Sequence, residues 1–239
     1  MTRTRLPSVD ALRGLAIALM IAYHFCYDLS YFGFARFDFL NDPFWLHART
    51  LILSLFLLVA GISLTLATHE GVRLKPYLRR LGIIAGCAAL ISVTSHFMFG
   101  PRWIFFGVLH FIAVASVVGL VFVRRPRLAL LGGIAMIALD RLFSHAFFDQ
   151  AGLQWLGLMT HKPPTEDYVP LIPWFGVVLL GIFLGNRLWL REATSALSRW
   201  QSRSPWTGLL TRAGRHSLLI YMLHQPLLLG LLWAVKQLR

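Results

Sequence analysis

The sequence predicts an all-α protein: a polytopic bundle of about seven membrane-spanning helices, with the N-terminus in the cytoplasm. Three observations predict it. The 239 residues are 57% hydrophobic and only 14% charged, with a mean hydropathy of +0.65, whereas soluble domains are nearer half apolar and a quarter charged. Seven apolar runs approach the roughly 20 residues that a spanning helix needs. The cationic residues fall unequally on the two sides of those runs.

The runs cover approximately 11–31, 48–68, 81–99, 104–123, 128–147, 170–189 and 216–235. Breakers and charges separate them: Asn41-Asp42-Pro43, Arg73 to Arg80, Gly100-Pro101-Arg102, Arg124-Arg125-Pro126-Arg127, Lys162-Pro163-Pro164 and an Arg-rich stretch over 190–215. The run at 81–99 is the most polar, because it carries Ser92, Thr94, Ser95 and His96. The length suits one bundle, a single domain over 1–239. The first run follows Thr2-Arg3-Thr4-Arg5 without a small-residue cleavage site, so no cleavable signal peptide is expected.

With the N-terminus inside, fifteen Lys and Arg residues fall on the cytoplasmic side and six outside, while Arg13 and Arg141 lie within spans. The net charge of +13 is therefore a topology signal, and nucleic-acid binding is not needed to explain it. The stretch "LREATSALSRWQSRSPW" reads as a cytoplasmic loop or an interfacial helix against anionic headgroups. Cys26 and Cys87 both sit in apolar runs, so they read as packing residues with no disulfide framework.

The first run contains groups that hydrocarbon tolerates poorly. With Asp10 at zero, about 100° per residue puts Arg13 near 300°, His24 near 320° and Asp28 near 0°. All four share one face, as expected of side chains that look into a bundle interior. Ser8 is a candidate helix cap, with Asp10 complementing the positive helix end. His24 lies roughly 20 Å along the axis from Ala11, about two-thirds of the way across the hydrocarbon. Asp28, one turn on, is placed to orient it. His110, Asp140-Arg141, Tyr221 and His224-Gln225-Pro226 add polar groups in other spans, which predicts a lined cavity. Asp140 and Arg141 could also neutralise each other.

No Walker loop, HExxH, GxSxG or CxxC is present, and the histidines lack metal-ligand spacing, so no metal is expected. Two classes fit the residues. One is an enzyme using His24 as base or nucleophile. The other is a proton-coupled transporter, for which intramembrane His and Asp are equally natural, although no inverted repeat is visible. A non-catalytic membrane protein is the remaining alternative.

Four stretches carry a resemblance. "SVDALRGLAIALMIAYHFCYDL" resembles the first helix of membrane acyltransferases, and Arg13 followed by ten residues and His24 matches the Arg-x10-His spacing of the acyltransferase-3 type. "SLFLLVAGISLTLA", "DYVPLIPWFGVVLLGIFLG" and "GRHSLLIYMLHQPLL" resemble more closely the bacterial family grouped with the catalytic domain of heparan-α-glucosaminide N-acetyltransferase. The resemblance implies a multi-pass protein of the bacterial inner membrane. It implies acyl transfer from cytoplasmic acetyl-CoA or another acyl-CoA to an outer-face acceptor, a glycan or lipid-linked sugar. No permanently bound cofactor is implied, and homo-oligomerisation is left open. The acyltransferase-3 spacing favours His24 as the catalytic residue with Asp28 beside it. The lysosomal comparison favours His47 at the start of the second run. Arg13, with Asp10, is the expected contact for the phosphate or pantetheine groups of CoA. His110, Asp140, Arg141, Tyr221 and His224 are the expected cavity residues.

Overall fold

The computed structural model describes residues 6–191, 196–201 and 204–238. Each apolar run forms a helix. These are α1 (Pro7–Tyr31), α2 (Pro43–Thr68), α3 (Leu74–Phe99), α4 (Val108–Val123), α5 (Pro126–Leu142), α6 (Leu171–Leu184) and, near the C-terminus, α9 (Ser217–Gln237). The single turn α7 (Ala196–Arg199) and the amphipathic α8 (Pro205–Arg215) precede α9. Among the described residues the only β feature is an isolated bridge between Phe106 and Tyr168. The protein is thus an all-α, multi-pass membrane protein.

Among the described residues five helices are long and apolar enough to cross a bilayer: Pro7–Tyr31, Pro43–Thr68, Leu74–Arg102, Leu171–Leu190 and Ser217–Gln237. At 16 and 17 residues, α4 and α5 fall short of the roughly 20 that a straight span needs. Extended backbone next to each accounts for both. The segment before α4 is extended, with Phe106 bridged to Tyr168, so this helix starts at Val108 rather than 104. The run at 128–147 leaves the helix at Leu142, and His145 accepts from the Phe147 amide to begin a separate 3₁₀ turn. In contrast α3 starts well before its apolar run, since Pro76 falls in the first turn, where no helical N–H is needed. Ser8 is not a cap. Leu6 is the N-cap residue and Pro7, with φ already near the helical value, takes the first helical position.

The chain divides into two compact units: residues 1–59 with 194–239, and residues 60–193, the boundary falling inside α2. In the first unit α8 and α9 both pack on α1. Gly14 and Gly214 set the α1–α8 distance. A Cβ on Gly14 would strike the Leu210 carbonyl, and one on Gly214 would strike the Asp10 carbonyl. Small residues permit this approach, and in lipid close van der Waals packing replaces the hydrophobic drive. Ala16, Ile17 and Leu57 are fully buried here, whereas Leu15, Leu19 and Phe25 are exposed, as on a lipid-facing side.

In the second unit α6 is the central element. Its Phe175, Val178, Leu179 and Ile182 are buried, and Gly176 meets Gly133 of α5 backbone to backbone, 2.7 Å from a Cβ built on Gly176 to the Gly133 carbonyl. Beyond Gly185 the chain widens into π-helical turns through Arg191. One loop is tied down tightly. Asp167 accepts from the Val108 amide at 2.9 Å, Glu166 pairs with Arg102 at 3.0 Å, and Thr165 donates to the Trp103 carbonyl at 2.7 Å. The sequence-predicted interfacial helix over "LREATSALSRWQSRSPW" lies partly outside the described residues, as do Arg3, Arg5, Arg203 and Arg239 of the charge count. Its last residues open α8, which is docked on α1 and capped by Ser204, whose Oγ accepts from the Thr207 amide.

Candidate active site

The polar face of α1 is covered by the two C-terminal helices of its own unit, in two clusters one above the other. The first lies at the N-terminal end. Arg13 donates from Nη1 to Asp10 Oδ1 at 2.8 Å and to the Gly214 carbonyl at 3.2 Å. Arg215 approaches the other carboxylate oxygen, 3.4 Å from Nε to Oδ2. That contact is an ion pair without an aligned hydrogen bond. Asp10 is buried and serves two guanidinium groups, so the cluster carries one net positive charge. Arg215 is 42% exposed in its side chain. It entered the sequence reading only as one of many loop cations. What sequence could not supply was the docking of α8 on α1.

The second cluster lies about eleven residues along α1, roughly 16 Å by the helix rise. The His24 ring meets the His224 ring of α9, with centroids 5.0 Å apart and planes at 60°. Tyr23, Tyr221 and Phe56 extend this ring wall. Asp28 is 1% exposed. Its Oδ1 accepts from Gln225 Nε2 at 2.9 Å. The expected Asp28–His24 orientation is therefore replaced by an Asp28–Gln225 pair, because Gln225 falls next to His224 on α9 and reaches the carboxylate. Gln225 was visible in the sequence as a polar residue in an apolar run, and Pro226 after it removes one helical N–H.

Three atoms in this cluster are buried without a hydrogen-bond partner among the described residues: Asp28 Oδ2, His224 Nε2 and Gln225 Oε1. A packing-only cluster pairs such atoms, since an orphaned buried acceptor costs about 1–3 kcal/mol. His224 is in ring contact with His24 and Gln225 is bonded to Asp28, and all three atoms are suited to accept from an O–H or N–H.

The remaining sequence candidates behave differently. His47 is exposed, and its Nδ1–H donates to the Pro43 carbonyl at 2.6 Å. It bonds back to the first residue of its own helix. His110 lies in the second unit and is saturated. The Ser92 hydroxyl gives its proton to the Ile104 carbonyl at 2.7 Å and therefore accepts from His110 Nε2 at 2.9 Å, while His110 Nδ1 accepts from the Gly107 amide at 3.3 Å. Asp140 and Arg141, in the same unit, lie 4.0 Å apart as an ion pair, with the Arg141 side chain 85% exposed. These two serve one another at the end of α5. Among the described residues no group of three or more His, Cys, Asp or Glu side chains is arranged to hold a metal ion.

No curated protein and no solved structure matches the chain. A family model does, over residues 5–226, a span that contains Arg13, His24, Asp28, His224 and Gln225. The chain belongs to the family described as heparan-alpha-glucosaminide N-acetyltransferase, catalytic.

Proposed function

We propose that this protein is an acyl-CoA-dependent acyltransferase of the bacterial inner membrane, moving an acetyl or other small acyl group from the cytoplasmic side to an acceptor at the outer face, a glycan or lipid-linked sugar. The observation that carries the proposal is the half-buried His24–His224 ring pair joining α1 to α9, in a chain matched over 222 of its 239 residues (5–226) by an acetyltransferase family.

The two α1 clusters divide the work. Arg13 and Arg215 hold Asp10 and keep one positive charge beyond it, which suits the phosphates of CoA, because guanidinium binds phosphate with fork geometry. Along the same face His24 meets the thioester end, and an extended pantetheine arm has about the reach that separates them. The His24–His224 pair supplies there the base toward the acceptor or the transient carrier of the acyl group. The acceptor's O–H or N–H is drawn to the orphaned oxygens of Asp28 and Gln225. His47, His110, Asp140 and Arg141 are given no part in the chemistry. Seven spans, with α4 and α5 as short crossings, bring the C-terminus to the outer side.

The test is acyl-CoA binding by the purified full-length protein, followed by mass-spectrometric identification of an acylated glycan or lipid in cells that overproduce it. Binding together with a new acyl ester or amide supports the proposal. Wild type without affinity for acyl-CoA overturns it. A proton-coupled flux in that case identifies a carrier.

A further inference from the structure

We infer that His224, and not His24, is the base that takes the proton from the acceptor. This rests on the acyltransferase reading and assigns within it a role that family membership does not supply. The argument starts from the protonation of one ring. His224 Nδ1 is bonded to the Tyr221 carbonyl of its own helix. A carbonyl oxygen can only accept, so Nδ1 carries the hydrogen. In the neutral ring Nε2 then holds the lone pair. That atom is buried and has no partner among the described residues. The helix backbone thus fixes the tautomer and leaves Nε2 as the basic nitrogen of a ring in contact with His24. The same reasoning gives the opposite result for His110, where both nitrogens are occupied. A fixed Nδ1–H that leaves Nε2 as the basic nitrogen is the arrangement general-base histidines use, the orienting acceptor here being a carbonyl rather than a carboxylate.

The step balances without a co-reactant beyond the acyl-CoA. The acceptor's O–H or N–H proton passes to His224 Nε2. The freed electron pair forms the bond to the acyl carbon, the C–S bond breaks, and the CoA thiolate leaves. His224 then returns its proton to the thiolate, which restores the Nδ1–H tautomer and releases CoA–SH. Asp28 Oδ2 and Gln225 Oε1, both orphaned acceptors beside it, take further donors of the same acceptor molecule. His24, in ring contact with His224, faces the acyl carbonyl.

The experiment exploits the difference between the two ring nitrogens. His224→Asn keeps an N–H where Nδ1 stands, so the bond to the Tyr221 carbonyl survives while the base is removed. His224→Ala removes both. Full-length proteins in lipid nanodiscs are given acetyl-CoA with glucosamine as the probe acceptor, and CoA–SH release and acetylated product are followed. The expected result is a loss of about 10²–10⁴-fold in kcat for both variants, thermal stability of His224→Asn within a few degrees of wild type, and partial recovery of His224→Ala on adding imidazole. A structural role predicts the reverse: His224→Asn active and no response to imidazole. His224→Asn retaining a third or more of the wild-type rate overturns the inference while leaving the acyltransferase reading intact. Wild type that neither binds acetyl-CoA nor releases CoA–SH overturns both.

Discussion

Gln225 on α9 donates to Asp28 on α1 across 197 positions of sequence, Nε2 to Oδ1 at 2.9 Å, and this bond joins the two ends of the chain at the level of His24. Asp28 is almost fully enclosed, so the carboxyl group depends on that amide. Replacing Gln225 with Leu removes the donor and leaves the acid buried without it, at a cost of about 1–3 kcal/mol. Thermal unfolding of the detergent-solubilised protein should drop by several degrees in Gln225→Leu. The double variant Asp28→Leu with Gln225→Leu should regain part of the loss, since removing both partners spares the orphaned group. Strictly additive losses would mean that the pair is not energetically coupled.

Close approach of α1 and α8 at Gly14 and Gly214 gives a second prediction. A Cβ at either position enters a backbone carbonyl of the other helix, and backbone cannot rotate away as a side chain does. Gly14→Val and Gly214→Val should each separate the helices, costing about 1–3 kcal/mol as overpacking does, and should also weaken the hold of Arg13 on the Gly214 carbonyl. Gly82 and Gly86 of α3 meet nothing within 4 Å, so Gly82→Val is the control. Thermostability that is equal for Gly14→Val and Gly82→Val would contradict the packing described.

Topology is the third. Reporter fusions after Arg80, Arg127 and Arg203 should all read cytoplasmic, and one at the C-terminus should read external, because Lys and Arg are concentrated on the loops assigned inside. The C-terminal fusion is the decisive one. If α4 and α5, each a turn or so short of a full span, fail to cross separately, the later loops are displaced and this fusion is the first to report it.

A fourth concerns the loop after α5. Asp149 accepts from both the amide and the hydroxyl of Thr160, each at 2.8 Å, and these bonds hold its carboxyl below the usual carboxylate value. A depressed folded-state value means that the lock is fully present above the unfolded pKa of about 4 and is lost as pH falls through the lower folded value. Hydrogen exchange at the Thr160 amide should therefore stay protected at pH 6 and become faster, after correction for intrinsic rates, below about pH 4. In Asp149→Asn the exchange should lack that acid transition.

How much of this was legible in the sequence follows from the range of each interaction. The seven helices were legible because spanning a bilayer imposes length and hydropathy on consecutive residues. The shared face of Asp10, Arg13, His24 and Asp28 was legible because helical periodicity is local. Their partners were not. Arg215 and Gly214 are about 200 residues from Asp10 in sequence, and nothing in a single chain says that α8 docks on α1. The ranking of histidines was also hidden. His24, His47, His110 and His224 look alike as letters, and they separate only when the fate of each ring nitrogen is known: a helix carbonyl for His47 and His224, a saturated pair for His110. Sequence spacing puts Asp28 one turn from His24, but its hydrogen bond goes to Gln225, because a neighbouring helix supplies a donor within reach.

Arg13 and His24 should fail in different ways, and this separates donor binding from chemistry. Arg13 is expected to contact the CoA phosphates in the ground state, so Arg13→Ala should raise the Kd for acetyl-CoA. It should also lower thermal stability, because Asp10 and the Gly214 carbonyl lose the guanidinium that joins them. Arg13→Lys keeps the charge and loses the fork, so it should recover stability more fully than affinity. His24→Ala removes a ring whose contacts are aromatic neighbours. It should leave CoA binding within a few-fold of wild type while reducing turnover at least tenfold, because the ring beside the acyl group and His224 is lost. Measuring Kd by calorimetry and kcat by CoA–SH release on wild type and the three variants gives a two-by-two pattern. A His24→Ala protein that loses CoA affinity but turns over normally at saturation would place His24 in donor binding and remove it from the reacting centre.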